Sequence, residues 1–264
     1  DQIPFVLLSS PSNLTGDGQF ATEASPMKAT TVETDILKEH LAATHRPHKP
    51  QFSGDNGGDA RPFSLLRSEN HTERSPNKIP KIIHQFWDAP GVPGAFADHI
   101  KSWIRYHPDW EYWFWQDSDV QLLLSTCFPE YSQLYRKYPQ TVNRADAMRY
   151  FVLYTFGGLY LDLDMVAIKS NDALINNRSC VLTEETYEHS VILYERIAHP
   201  NLINAYMACQ PGHPLFKMAI EDLPRSKAER DHLRRTGPFF LDHIYQVYNS
   251  TAMDSPVSIL NPHL

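Results

Sequence analysis

The sequence predicts an α/β domain with a mainly parallel sheet, preceded by a disordered stem. Three observations carry that prediction. The aromatic residues divide the chain, since residues 1–77 hold four Phe and no Trp or Tyr, whereas 78–264 hold all five Trp and all 13 Tyr. Apolar, β-prone runs alternate with helix-period segments through 78–264, the pattern of strands joined by crossover helices. Hydrophobic residues make up 42% of the 264, enough for a sizeable core.

Residues 1–77 carry seven of the 20 prolines and the run Ser53-Gly54-Asp55-Asn56-Gly57-Gly58-Asp59. Such a segment buries too little apolar surface to offset its chain entropy, so it reads as a stem with at most a short helix near 31–41. The folded domain is expected over 78–264. Its first strand is Lys81-Ile82-Ile83-His84-Gln85-Phe86-Trp87, bounded by Pro80 and the turn-rich stretch from Pro90 to Gly94. Helical spacing follows over 96–106 and stops before Pro108. The aromatic run 110–115 is a second strand, and Asp117 or Ser118 caps the next helix. Residues 143–156 form a longer helix closed by Gly157-Gly158, and 159–163 form a strand that runs into Asp164. A strand at 179–183 follows, then helices opened by Pro214 and Pro238.

Several classes are excluded. A net charge of −7 and a pI near 6.0 are the wrong sign for holding nucleic acid through its phosphates. The motifs GxSxG, GxGxxG and HExxH are absent, which removes serine-hydrolase, dinucleotide and zinc-protease readings. Cys127, Cys180 and Cys209 contain no CxxC pair and allow at most one disulfide. Sequons at Asn13, Asn70, Asn177 and Asn249 exceed the ~1–2 expected by chance and favour a secretory-pathway protein. No run of 18 apolar residues occurs, so any membrane anchor is expected outside this chain.

The chemistry concentrates between Asn143 and Asp164. On a strand, Asp162 and Asp164 share a face, at the end where ligands bind in parallel sheets. Two adjacent carboxylates repel, and a hard divalent cation, Mn²⁺ or Mg²⁺, relieves the repulsion and recruits phosphate oxygens. Asp146 and Arg149 stand at i and i+3 on one helix face. Each part alone has a bland reading: an ordinary Asp-x-Asp, a solvated helix pair, a turn. Together within 22 residues they are specific.

Three segments carry a resemblance: Ile79-Pro-Lys-Ile-Ile-His84-Gln-Phe-Trp87, Arg144-Ala-Asp146-Ala-Met-Arg149-Tyr, and Phe156-Gly-Gly-Leu-Tyr-Leu-Asp162-Leu-Asp164. A weaker echo runs through Pro211-Gly-His-Pro-Leu and Thr236-Gly237-Pro238. In these the chain resembles the DXD-motif sugar-binding-region glycosyltransferases, which include initiating α-1,6-mannosyltransferases and inositol-phosphoceramide mannosyltransferases. The resemblance spans 78–262. It implies a GT-A fold, a nucleotide-sugar donor, Mn²⁺ or Mg²⁺, and retention of anomeric configuration. By position it makes Asp164 the direct metal ligand, with Asp162 holding ribose, donor sugar or metal-bound water. Asp146 would bind sugar hydroxyls, Arg149 the sugar and diphosphate, and Trp87 the base, with His84 beside it in the donor site. The implied reaction is mannosyl transfer from GDP-mannose to a glycolipid or glycan, with a galactosyl or glucosyl transfer from a UDP-sugar as the alternative. Glu184 and Glu185 are the nucleophile candidates for a double displacement, although as two exposed loop acids they are better explained as solvated surface. The family pattern continues with a His- and Trp-containing segment past Asn261-Pro262, so the domain is expected to be C-terminally incomplete. A Golgi- or ER-lumenal type II protein is the implied setting.

Two rivals compete. A haloacid-dehalogenase-type phosphatase shares the apolar strand and the wording Asp162-Leu-Asp164-Met-Val166, but leaves Asp146 and Arg149 without a role. A sugar-binding module without turnover would keep the fold alone.

Overall fold

The computed structural model describes residues 5–7, 52–53, 78–89, 91–194, 200–251 and 255–261. In chain order the strands are β1 (Phe5–Leu7), β2 (Phe52–Ser53), β3 (Ile82–Phe86), β4 (Val92–Pro93), β5 (Glu111–Trp115), β6 (Gly158–Leu161), β7 (Met165–Ala167), β8 (Cys180–Glu184), β9 (Leu202–Cys209) and β10 (Val257–Leu260). The helices are α1 (Ala97–Tyr106), α2 (Asp117–Cys127), α3 (Pro129–Arg136), α4 (Thr141–Phe156), α5 (Asp172–Ile175), α6 (Tyr187–Tyr194), α7 (Pro214–Ser226), α8 (His232–Arg235) and α9 (Pro238–Ser250). The main sheet has the order β10-β8-β9-β6-β3-β5. Five of its strands run parallel and only β9 opposes them, as the predicted α/β class requires. Two short pairs from the first 77 residues join the domain, β1 antiparallel to β7 and β2 parallel to β4. The rest of the expected stem, its helix near 31–41, and Asn13 and Asn70 lie outside the described residues.

The sheet is covered on both faces. On one face α2, α3, α4, α7 and α9 pack around Trp115, Phe151, Phe156, Phe216 and Leu241. On the other, Ile100 and Trp103 of α1 meet Ile83, Leu161 and Tyr206. Helix α4 is buried on nearly every side, from Asn143 to Phe156, which is why its apolar residues show no clean stripe. At its end Gly157 and Gly158 take φ of 65° and 97°, conformations that cost a side chain dearly. A Cβ on Gly158 would stand 2.7 Å from Ile82 O and 3.0 Å from His84 Nε2. The pair therefore admits the close return of β6 onto β3.

Three expectations are corrected. The strand expected over 159–163 ends at Leu161, and Asp162 to Asp164 form a turn closed by Met165 N donating to Asp162 O at 3.3 Å. Strand alternation therefore does not place the two carboxylates; the chain turns away there because β7 is claimed by α1 and β1. The cap of α2 is Gln116, not Asp117 or Ser118, since the Asp119 side chain reaches back to Gln116 N at 2.8 Å. The sequence also gives no sign of β9, whose Leu-Ile-Asn-Ala-Tyr-Met-Ala-Cys text mixes small and polar residues into a central strand.

Cys180 and Cys209 stand directly opposite each other on β8 and β9 and form a disulfide, in which Cys127 takes no part. The bond closes a loop of sequence separation 29 at the amino end of the parallel strands. Replacing both residues by Ser is expected to lower the unfolding free energy by about 2–4 kcal/mol, read from urea denaturation. An unchanged midpoint would show that the strand pairing alone holds this edge.

Candidate active site

Where β6 and β3 end, Arg149 is held almost out of solvent. Its side chain is 4% exposed, against 7% for Asp146 and 35% for Asp162. The guanidinium Nη2 lies 3.1 Å from Asp146 Oδ1 and 3.3 Å from Asp162 Oδ1. Nε donates to Ala145 O at 3.1 Å, Nη1 donates to Asn204 O at 2.6 Å, and the group sits 4.4 Å over the Tyr160 ring. Burial opposes the charge, but the Asp162 carboxylate, Tyr160 and Asp146 outweigh it and hold the pKa above its ordinary value. Burial raises the pKa of Asp146, and Arg149 and the Asn204 amide work against that rise.

Asp146 is braced from further along the chain. Asn204 Nδ2 donates to its Oδ1 at 2.9 Å and Thr236 Oγ1 to its Oδ2 at 3.4 Å. Thr236 is held in turn by Asn143, whose Oδ1 accepts from Arg235 at 2.9 Å. Gly237 passes close enough that a Cβ would approach Asp146 Oδ2 to 3.3 Å and Leu233 Cα to 2.9 Å. Asn204 reaches the site because the β8–β9 register shifts between Leu182 and Thr183, leaving residues 204–206 of β9 unmatched on β8. That irregularity turns Asn204 to Asp146, a use of a bulge common beside functional sites, while Asp162 N continues the β6–β9 ladder by donating to Ala205 O at 3.0 Å.

The Asp162-Leu163-Asp164 turn is clamped from both sides. Gln85 Nε2 donates to Asp162 O at 3.3 Å and is itself fixed by Tyr112. Tyr160 OH donates to Asp162 Oδ1 at 3.0 Å. From α1, His99 Nδ1 meets Leu163 O at 3.1 Å and Trp103 Nε1 donates to Met165 O at 2.8 Å. Asp164 Oδ1 is buried and has no hydrogen-bond partner among the described residues. Burial first, then the Asp162 charge, pushes the Asp164 carboxyl up to about 6. An orphaned carboxylate oxygen beside a second carboxylate is a donor set that suits a hard cation. Counted together, three carboxylates face one guanidinium, so the cluster favours added positive charge.

The structure brings Asp146, Arg149, Asp162 and Asp164 to one end of the sheet. Trp87 stands at the same end, half-buried, its ring 5.7 Å from Phe96 and its indole nitrogen without a partner among the described residues. His84 is placed differently: it is fully buried, accepts from Trp115 Nε1 at 3.1 Å, and has Nε2 2.8 Å from Gly157 O. It ties β3 to the glycine turn. Arg144 links α4 to Asp88 and Asp117 at 2.8 and 3.2 Å. Glu185, expected as an exposed loop acid, is buried. Asn177 and Asn249 are both exposed at the opposite pole, where Ser179 Oγ donates to Pro256 O at 2.6 Å. Sequence reasoning missed Asn204, Thr236's contact with Asp146, and Gln85, because each is brought in by tertiary pairing and not by local spacing.

Residues 93–181 match the family model described as the glycosyltransferase sugar-binding region containing DXD motif. Inositol phosphoceramide mannosyltransferase 3 of Schizosaccharomyces pombe is 33% identical over 175 residues, covering 64% of this chain and 46% of that protein. Mannosyl phosphorylinositol ceramide synthase CSH1 of Saccharomyces cerevisiae is 30% identical over 199 residues, 72% of this chain and 49% of its own length. Initiation-specific alpha-1,6-mannosyltransferase of Candida albicans is 25% identical over 213 residues, 67% and 55%. The chain thus spans about half the length of these curated relatives. Among solved structures, the UDP-bound glycosyltransferase domain from the YGT toxin aligns over 70% of this chain and 80% of that one, with a TM-score of 0.49 and 10% identity.

The Asp164 carboxyl titrates near 6 in the fold, against about 3.9 when unfolded. Its stability contribution is therefore full below the unfolded value and is lost as pH rises through 6. Asp164→Asn is expected to raise the Tm of the metal-free protein at about pH 7.5 and leave it unchanged at about pH 4. Scanning calorimetry with a chelator present checks this, and an equal shift at both pH values would contradict it.

Proposed function

We propose that this chain, which belongs to the glycosyltransferases with a DXD-containing sugar-binding region, transfers a mannosyl group from GDP-mannose to the polyol head of a sphingolipid or to a glycan. The observation that carries the reading is the buried Arg149, gripped by Asp146 and Asp162 beside the unpartnered oxygen of Asp164. It supplies what a nucleotide sugar needs. Asp146, fixed by Asn204 and Thr236, offers its carboxylate to donor-sugar hydroxyls. Asp162, far more exposed than Asp146 or Arg149, keeps room for ribose or sugar on the side that Arg149 and Tyr160 leave free. Trp87 offers an indole face for the base.

In the proposed reaction the bond between the anomeric carbon and the β-phosphate oxygen breaks, and an acceptor hydroxyl forms the new bond on the same face. The hydroxyl proton passes to the departing phosphate oxygen, so no carboxylate nucleophile is required. Negative charge grows on the leaving diphosphate. Arg149, already desolvated and held in a fixed fork, stabilises that charge without reorganising. Asp164, with Asp162, would hold a divalent cation, whose role when bound is Lewis-acid stabilisation of the same diphosphate. A setting in the lumen of the secretory pathway agrees with the disulfide and with the exposed sequons Asn177 and Asn249.

Calorimetric titration of GDP-mannose, UDP-glucose and UDP-galactose, each with and without Mn²⁺, tests the reading. Metal-dependent binding of GDP-mannose is expected, weakened about 100-fold or more in Asp164→Ala. Binding of a UDP-sugar instead would replace the donor, and metal-independent binding that survives Asp164→Ala would overturn the metal assignment.

A further inference from the structure

A second polar cluster lies at the carboxyl end of the same sheet, on β8, the start of β9 and α6. Glu185 follows β8 with its side chain only 8% exposed. Its Oε1 accepts from Thr186 N at 3.1 Å and lies 3.3 Å from His189 Nδ1. Its backbone N–H donates to Asn201 O at 2.7 Å, and Asn201 N donates to Ser190 Oγ at 3.2 Å. Asn201 is fully buried, yet among the described residues neither its amide nitrogen nor its amide oxygen has a hydrogen-bond partner, and the buried Thr183 hydroxyl has none either.

These groups share one face of the sheet. Thr183 pairs with Ile203, and Glu185 meets Asn201 two residues further along both strands, so strand alternation puts Thr183, Glu185 and Asn201 on the same side. Unpaired buried polar atoms are costly, and three of them beside a buried carboxylate mark a place built for a hydrogen-bonding guest. The place is close to the chemistry. Glu185 follows β8 and Asp162 follows β6, and only β9 stands between those two parallel strands, so the two groups are roughly 10 Å apart across the sheet. That is a separation spanned by a donor hexose and the ring joined to it.

We infer that Glu185, Asn201, Thr183 and His189 form the subsite for the acceptor, and that its occupant is a neutral, hydroxyl-rich ring such as a hexose or inositol. Hydroxyls donate to the Glu185 carboxylate, and both donate to and accept from the Asn201 amide. The same carboxylate repels phosphate, which keeps the nucleotide diphosphate on the Arg149 side and the ring on this one. The inference rests on the glycosyl-transfer reading and assigns a task to an acid that needs no nucleophilic role.

The test uses the full chain with GDP-mannose and Mn²⁺, and with inositol phosphoceramide in detergent micelles or α-mannobiose as acceptor. Glu185→Gln is expected to raise the acceptor KM about tenfold or more, the loss of a hydrogen bond to a charged group, with donor Kd and donor hydrolysis unchanged. Thr183→Val keeps the shape and removes only the hydroxyl. It is expected to raise acceptor KM as well; a gain in Tm with KM unchanged would mean that this orphaned hydroxyl is merely a cost to folding, and would overturn the subsite. The subsite is equally overturned if Glu185→Gln leaves acceptor KM within about twofold, or weakens donor binding in step. Donor hydrolysis without transfer to either acceptor also counts against it. Absence of donor binding and hydrolysis in the unaltered chain is the separate result that overturns the transfer reading, and this site with it.

Discussion

The guanidinium of Arg149 carries a full positive charge into a place with almost no water, and the site is organised around keeping it there. Removing such a charge from solvent costs several kcal/mol unless every donor is met, and a buried pair broken on one side costs about 3–5 kcal/mol. Arg149 meets that demand with two carboxylates, two carbonyls and an aromatic face. Those partners come from α4, β6 and β9, so the group can be satisfied only when α4 and β6, joined by the glycine turn, are docked against β9 from much further along the chain. Folding of this end of the domain and assembly of the Asp146–Arg149–Asp162 cluster are the same event.

Around that charge the fold works as a set of fixed distances. The glycine turn lets β6 return directly against β3, with His84 bonded across the junction. Gln85 from the sheet and His99 from α1 grip the backbone of Asp162 and Leu163, and Trp103 that of Met165, leaving Asp164 Oδ1 as the group of the turn with no hydrogen-bond partner among the described residues. The register shift in β9 releases Asn204 from β8, and its amide holds Asp146 while its backbone oxygen accepts from Arg149. The disulfide sits at the other pole, so the site end and the locked end of β8 and β9 are separated by the length of the strands.

Much of this was legible in the sequence. The strands at 82–86, 111–115 and 180–184, the long helix before the glycine pair, and the proximity of Asp146, Arg149 and Asp162 follow from periodicity and spacing. What escaped has physical causes. β9 lacks the β-branched density of a central strand because Asn204 turns to Asp146 instead of the core. Asp162 and Asp164 read as neighbours on one strand face, but the tertiary claim of α1 on Met165 turns the chain earlier. His84 reads as a site residue by position, whereas pairing with Trp115 across β3 and β5 makes it core. Glu185 reads as solvated in a Thr-Glu-Glu-Thr run, and only the packing of α6 over it shows that it is not.

The account stands or falls on Arg149 and Asp162 acting as one unit toward a diphosphate. A double-mutant cycle on GDP affinity with Mn²⁺, using Arg149→Lys and Asp162→Asn, measures that directly. Lysine keeps the charge but not the fork, so a folded protein is retained while the pairing is lost. The account predicts a coupling of about 1 kcal/mol or more. Effects that add to within about 0.3–0.5 kcal/mol would show that the two residues meet the ligand independently, and would contradict it.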